Sequence, residues 1–142
     1  MSSATVLTIR QLLATPAVTA EVGQKVYPTK VPQGTDLPYL AVTVLSEGDA
    51  MRHLGGAGGS FDARVEIAAI AGDATSADLL AEIVKAAFGD LLHVAVLDPS
   101  TSPPELLGTI VQTDKAGAEL FDWSDDGKLC RRISDYNIRW RP

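Results

Sequence analysis

One cysteine, Cys130, and two histidines, His53 and His93, are all that the 142 residues offer of the side chains that most often bind soft metals or supply a nucleophile and its base. A lone thiol can form no internal disulfide and no cysteine-rich metal site, which suits a reducing compartment. His53 lies in a glycine-rich stretch and His93 in an apolar run, and neither has a second ligand at metal-binding spacing. Cys130 has no histidine beside it in the sequence and reads as a small strand residue rather than a nucleophile. The nucleophile elbow G-x-S-x-G is missing, as are the dinucleotide fingerprint and the P-loop, so no cofactor is implied. Long apolar runs are missing too. Leu37 to Leu45 and Leu91 to Leu97 are too short to span a bilayer, and the first residues lack the charged and apolar regions of a signal peptide, so the chain is expected to stay in the cytoplasm and off membranes.

Positive charge is in short supply. Twelve Lys and Arg face eighteen Asp and Glu, a net charge of -6. Gripping nucleic acid requires a basic surface that releases counterions, so this balance argues against a nucleic-acid binder while leaving room for a surface that DNA slides past. Basic residues do gather late, at Lys128, Arg131, Arg132, Arg139 and Arg141, but Asp122, Asp125, Asp126 and Asp135 are interleaved with them. Cross-strand ion pairs are the expected arrangement. Asp122, Ser124, Asp126 and Gly127 imitate the start of a calcium-binding loop, yet Ile133 stands where a bidentate glutamate is required, so the segment reads as a hairpin turn.

What is present is an ordinary globular composition, 46% hydrophobic and 21% charged, and a length at which a single domain buries about 70% of its unfolded surface. Residues 1–142 are read as one domain. Val6, Ile9, Leu12 and Leu13 recur at helical spacing behind a possible cap at Ser2 or Ser3. Thr15 and Pro16 open a second short helix that Gly23 stops after Val22. Thr75 with Asp78 suggests the start of the strongest helix, whose stripe is Leu79, Leu80, Ile83, Val84, Ala87 and Phe88. Phe61, Ala63, Val65, Ile67 and Ala69 alternate with Asp62, Arg64 and Glu66 as in a half-buried strand. That strand is expected to pair antiparallel with Tyr39 to Leu45. Between them, residues 46–60 carry five glycines and read as a flexible loop, and residues 98–105, DPSTSPPE, as a proline-rich one. Leu91 to Leu97 and Gly108 to Thr113 have strand composition. Ala118 to Trp123 and Leu129 to Trp140 read as a terminal hairpin with Tyr136, Ile138 and Trp140 on one face and Asn137, Arg139 and Arg141 on the other. The fold class expected is α+β: a mostly antiparallel sheet, an amino-terminal helical hairpin and one amphipathic helix packed on the sheet.

The segment from Gly23 to Leu45, GQKVYPTKVPQGTDLPYLAVTVL, carries structural order and no reactive group. Pro28, Pro32 and Pro38 exclude a helix there and place the start of any strand after Pro38. A short helix ending at glycine, then Val-Tyr-Pro, Pro-Gln-Gly and Leu-Pro-Tyr entering a valine-rich strand, resembles the tail-terminator or tail-completion proteins of long-tailed bacteriophages, also called head-to-tail joining proteins. The resemblance continues through the glycine-rich gap, the alternating strand, the Ala-rich helix and the closing strand. It implies a structural virion protein, assembled in the host cytoplasm and placed at the head-proximal end of the tail. Identical subunits would form a ring, by analogy a hexamer, that caps the finished tail tube and meets the head connector, with DNA passing through the lumen without specific binding.

On that reading three regions are candidates for contact. The turn Gly34, Thr35, Asp36 and Leu37 and the outer residues Asn137, Arg139 and Arg141 match the family's pattern. Met51, Arg52, His53 and Leu54 are added because the glycine-rich stretch gives them contact-forming side chains. Two alternatives stand beside it: a small α/β enzyme or ligand-binding domain with a pocket between helix and sheet, for which no set of convergent polar groups can be named, and another minor tail or tube protein.

Overall fold

A computed structural model describes residues 3–53, 56–124 and 127–142. Its elements, in chain order, are α1 (Ala4–Leu13), α2 (Pro16–Val22), β1 (Val26–Pro28), β2 (Tyr39–His53), β3 (Gly56–Ala71), α3 (Ala74–Phe88), β4 (Leu92–Asp98), β5 (Glu105–Trp123) and β6 (Cys130–Arg141). The fold is α+β, with the six strands in one sheet in the order β1-β2-β3-β6-β5-β4. Only the β1–β2 pair is parallel; β2–β3, β3–β6, β6–β5 and β5–β4 are antiparallel.

Local chemistry sets the helix ends. The Ser3 hydroxyl accepts the Val6 N–H at 3.3 Å and starts α1. Pro16 stands at the opening of α2, and Gly23, with φ of 62°, ends it. The deepest line of α1 is Ala4, Leu7, Thr8 and Leu12, with Ile9 and Leu13 packed at its flanks. The cap of α3 corrects the sequence reading. Asp73, not Thr75, begins the helix, its carboxylate accepting the Ser76 N–H at 2.7 Å. That shifts the buried stripe to Ala77, Leu80, Ala81, Val84 and Phe88, and Leu79, assigned above to the core, is 57% exposed.

The expected helical hairpin is realised only in part. α1 and α2 touch, but α1 also touches every strand from β1 to β5, whereas α2 leans on α3. Because strands from both ends of the sheet meet the same helix, the sheet curls around α1. The core lies inside that curl: Leu40 and Val42 from β2, Val65 and Ile67 from β3, Tyr136, Ile138 and Trp140 from β6 and Ile110 from β5, closed by Leu7, Leu12, Val84 and Phe88 of the helices.

Two strand expectations fail, for opposite reasons. Val26–Pro28 pairs with Leu40–Val42, so a strand does precede Pro38. It is a three-residue edge strand, and proline is tolerated because alternate residues carry the ladder: the Lys25 carbonyl accepts from Leu40 and the Thr29 N–H donates to the Val42 carbonyl at 2.7 Å, which leaves the Pro28 nitrogen on the side away from β2. The larger correction concerns residues 46–60. Strand β2 runs on to His53 and β3 begins at Gly56, with Glu47, Asp49, Met51 and His53 paired to Ala63, Phe61, Ser60 and Gly56. Strand pairing therefore occupies most of what composition suggested was a loop, while Leu54 lies outside the described residues. Bulges between Val44 and Ser46, Asp49 and Met51, and Met51 and His53 shift the register and hide any alternation of two.

The carboxyl half merges two expected strands. Gly108 to Thr113 and Ala118 to Trp123 belong to the single strand β5, whose register against β6 slips between Ala116 and Leu120. Gly117 sits in the slip with φ of 66°, a conformation that a side chain would strain. Residues 99–104 connect β4 to β5, and Asp98 organises that loop by accepting the Ser100 N–H at 2.9 Å.

Candidate interaction surfaces

Every second residue of β6 after Tyr136 faces away from the helices. On that outer face Arg139 donates to Asp62 at 2.8 Å, Arg64 to Asp135 at 2.9 Å and the Arg131 Nε to Asp122 at 2.8 Å, each pair spanning two neighbouring strands. Asn137 reaches Asp114 at 3.4 Å. The interleaved charges thus form the expected cross-strand ladder. The Arg131 guanidinium beside Asp122 holds that carboxyl below its usual range, and it occupies the first position of the supposed calcium loop; Asp125 and Asp126 lie outside the described residues. Of the three outer candidates, Asn137 and Arg139 are engaged within the sheet, while the exposed Arg141 is joined to it through the backbone pairing with Thr109. Asp62, Arg64, Asn137 and Arg139 line a groove of about 440 Å³ on this face. Its charged groups are matched to one another, an arrangement that binds strands together rather than a convergent acid and base.

Behind that ladder, Trp140 marks where the body of the sheet ends. Its ring stacks on Phe61 at 4.8 Å between centroids and its indole N–H donates to Glu47 at 3.0 Å. Phe61 with Trp140 is the last β3–β6 pair, so β2 beyond Asp49, as far as His53, and β3 from Gly56 to Ser60 continue past β6 as a projecting two-stranded ribbon. Met51, Arg52 and His53 lie at the far end of β2, within that ribbon.

The turn at Gly34 to Leu37 lies at the other end of β2. Gly34 has φ of 81°, and Thr35 folds the turn by donating its hydroxyl to the Pro32 carbonyl at 2.6 Å. Lys25 donates to the Asp36 carbonyl at 3.1 Å. Leu37 is half-buried rather than free, and with Pro38, Glu21, Gly72 and Leu79 it lines a groove of about 300 Å³ between α2 and α3. The structure therefore does not bring the three candidate regions together. It places the turn at one end of β2, and the hairpin and Arg141 toward the other. Leu79 and Glu21 escaped sequence reasoning. An Asp73 cap with Ser76 three residues on would have shifted the helical stripe by one step and exposed Leu79.

The sheet also offers two different edges. Strand β1 covers β2 only from Leu40 to Val42, and among the described residues no strand covers the rest of that side. At the opposite margin β4 is the last strand, and β5 beyond Thr113 pairs only with β6. Leu92, Leu97 and Leu106 are exposed along this margin, as are Leu120 and Trp123 farther along β5.

Chemistry-bearing side chains are placed structurally. Cys130 is fully buried and burial pushes its thiol pKa up, away from the reactive thiolate. His93 is exposed on β4 with φ of 50°. Glu119 accepts Arg132 at 2.7 Å, which lowers its pKa, and Arg132 also lies 3.5 Å from Asp78 on α3. This triad ties helix to sheet. Among the described residues no cluster of His, Cys, Asp and Glu could hold a metal ion, and no helix is long and apolar enough to cross a membrane.

Residues 8–106 match the family model described as tail completion protein gp17. No curated protein matches the chain. Among solved structures, the fold is similar to a chain of one described as the virion of a native gene transfer agent (GTA) particle, with a TM-score of 0.66 and 19% sequence identity, covering 99% of this chain and 96% of that one. At that identity the likeness is one of fold.

Proposed function

The chain belongs to the tail completion protein gp17 family, and from that premise we propose that copies of it form a ring that caps the finished tail tube and meets the head connector. Membership makes the chain a structural component of the phage virion tail and points away from catalysis. The finer reading is a ring at the head-proximal end, of six subunits by analogy with the family, through which DNA passes without specific binding.

The observation that carries it is the inequality of the two sheet margins. One margin is the uncovered side of β2 with its ribbon; the other is β4 and the far part of β5 with exposed leucines. A contact between unlike patches is heterologous, and a heterologous contact closes into a ring when its rotation divides the circle. Unpaired strand margins are suited to such contacts because their free N–H and C=O groups form a template for another chain. The negative net charge is compatible with a lumen that DNA traverses without sticking.

The reading is tested by native mass measurement of the purified protein, alone and after incubation with tail tubes, followed by co-sedimentation. A closed oligomer that pellets with tubes is expected. Protein that remains monomeric at high concentration and stays in the supernatant would refute it.

A further inference from the structure

Two stretches of strand lie open at the margins of the sheet, and one has the composition of an interior strand. Beyond Thr113, whose N–H still bonds to the Leu91 carbonyl, β5 pairs on one side only, and its end residues Leu120, Phe121 and Trp123 are 63%, 39% and 48% exposed. Leu120 shares the outer face with Asp122, whereas Phe121 lies beside Arg132 on the face of α3, so this end of the strand is apolar on both faces. That is the pattern of a strand with neighbours on both sides, and Leu120 to Trp123 holds neither the lysine nor the proline that commonly blunts an edge. At the other margin β1 covers β2 only as far as Val42, and Leu45, Ser46, Glu47 and Gly48 are exposed past it. The backbone is turned outward at both places. Ser124 donates its N–H to Leu129 across the terminal hairpin at 2.9 Å, so by the alternation of a strand Phe121 and Trp123 direct their N–H and C=O to the open side. The Val42 carbonyl accepts from Thr29 on the β1 side, so Val44, two residues on, directs its groups to the open side as well. Within one chain the two stretches lie at opposite margins, with β3 and β6 between them, and do not pair.

We propose that the Leu120–Trp123 stretch of β5 in one copy pairs edge to edge with the Val44–Gly48 stretch of β2 in the next, so that the sheet runs on from subunit to subunit. Backbone hydrogen bonds supply the attachment, and the joint covers the exposed leucines and aromatic rings. Glu47, bonded to the Trp140 indole, faces the helices, and Asp122, held by Arg131, faces outward, so the joint brings no carboxylates together. Because the two strands differ, each copy uses both once, as a ring requires. The inference rests on the ring reading and names the strands that meet.

Proline provides the test, because it deletes a backbone donor without adding charge. Phe121→Pro removes an N–H that the β5–β6 ladder does not use, so thermal unfolding is expected to stay close to wild type while assembly on tail tubes weakens at least tenfold. Leu120→Lys, at a position 63% exposed, is expected to cause the same loss and keeps the test open should the proline disturb the hairpin. A second arm is covalent. With Leu45→Cys and Leu120→Cys in one chain and the buried Cys130 left in place, a flexible thiol crosslinker is expected to give a ladder of oligomers beyond the dimer on tubes, whereas each single variant stops at the dimer or below. Rings that form normally, give no ladder and ignore both β5 substitutions would overturn this joint and leave the ring reading intact. Protein that forms no oligomer even with tubes would overturn both.

Discussion

The two halves of β2 obey different rules. From Tyr39 to Val44 the strand is flanked by β3 and, over part of its length, by β1, and its inward residues Leu40 and Val42 are fully buried under α1. Beyond Asp49, as far as His53, it pairs with β3 alone, past the last β3–β6 contact, and its register slips twice. The first half is held by a core and the second by its ladder. Hydrogen bonding along a strand does not require the burial that makes the strand recognisable in a sequence. It follows that the first half sets stability, while the second is free to serve contacts.

Perturbing the buried half should have the largest effect. Leu40→Asp places a charge in the core and is expected to cost more than about 4 kcal/mol, leaving the protein unfolded or readily digested by protease. Protease resistance equal to wild type would mean the strand is not held by its core.

Tyr136, in the same core, supplies a pH test. Burial foremost, and the charge of Glu119 after it, push its pKa from 10.0 up to about 12. Below pH 10 the phenol is protonated in both states and stability is complete; between pH 10 and about 12 the unfolded chain ionises first, so stability falls. The loss from this group is about 2 to 3 kcal/mol in urea unfolding, and Tyr136→Phe is expected to remove it.

At the boundary between the halves, Glu47→Ala deletes the acceptor for the Trp140 indole and is expected to cost about 1 kcal/mol, with Glu47→Gln retaining most of the stability. The smallest effect belongs to the ribbon. Replacing residues 49–60 by an Asn-Gly turn is expected to change the unfolding free energy by less than about 1 kcal/mol while abolishing assembly on tubes. A large loss of stability there would erase the distinction between the halves.

Legibility in the sequence follows the same line. Where residues pack on a core, spacing and caps revealed the elements: α2 ends at the expected residues, and Tyr136, Ile138 and Trp140 share the buried face of β6. The ion pairs of Arg139 and Arg131 with Asp62 and Asp122 follow from alternating charge on an exposed face. Where the chain leaves the core, the signal vanishes. Glycines in the ribbon suggested a loop, and three residues of β1 ending in proline looked like no strand at all. Leu79 was misread for another reason: a leucine next to a stripe counts as apolar whether or not it is buried, and only the Asp73 cap fixes the phase. Proximity between Leu37 and Leu79 depends on tertiary packing and leaves no trace in spacing.

Closure of this tail protein into a ring on the tube is a proposal that can be seen directly. Electron microscopy of tail tubes incubated with the purified chain tests it most directly. Class averages should show one end of each tube capped by a closed ring of identical subunits, with bare ends when the ribbon is shortened. Bare ends with the intact chain, or density that binds along the tube wall without closing, would contradict it.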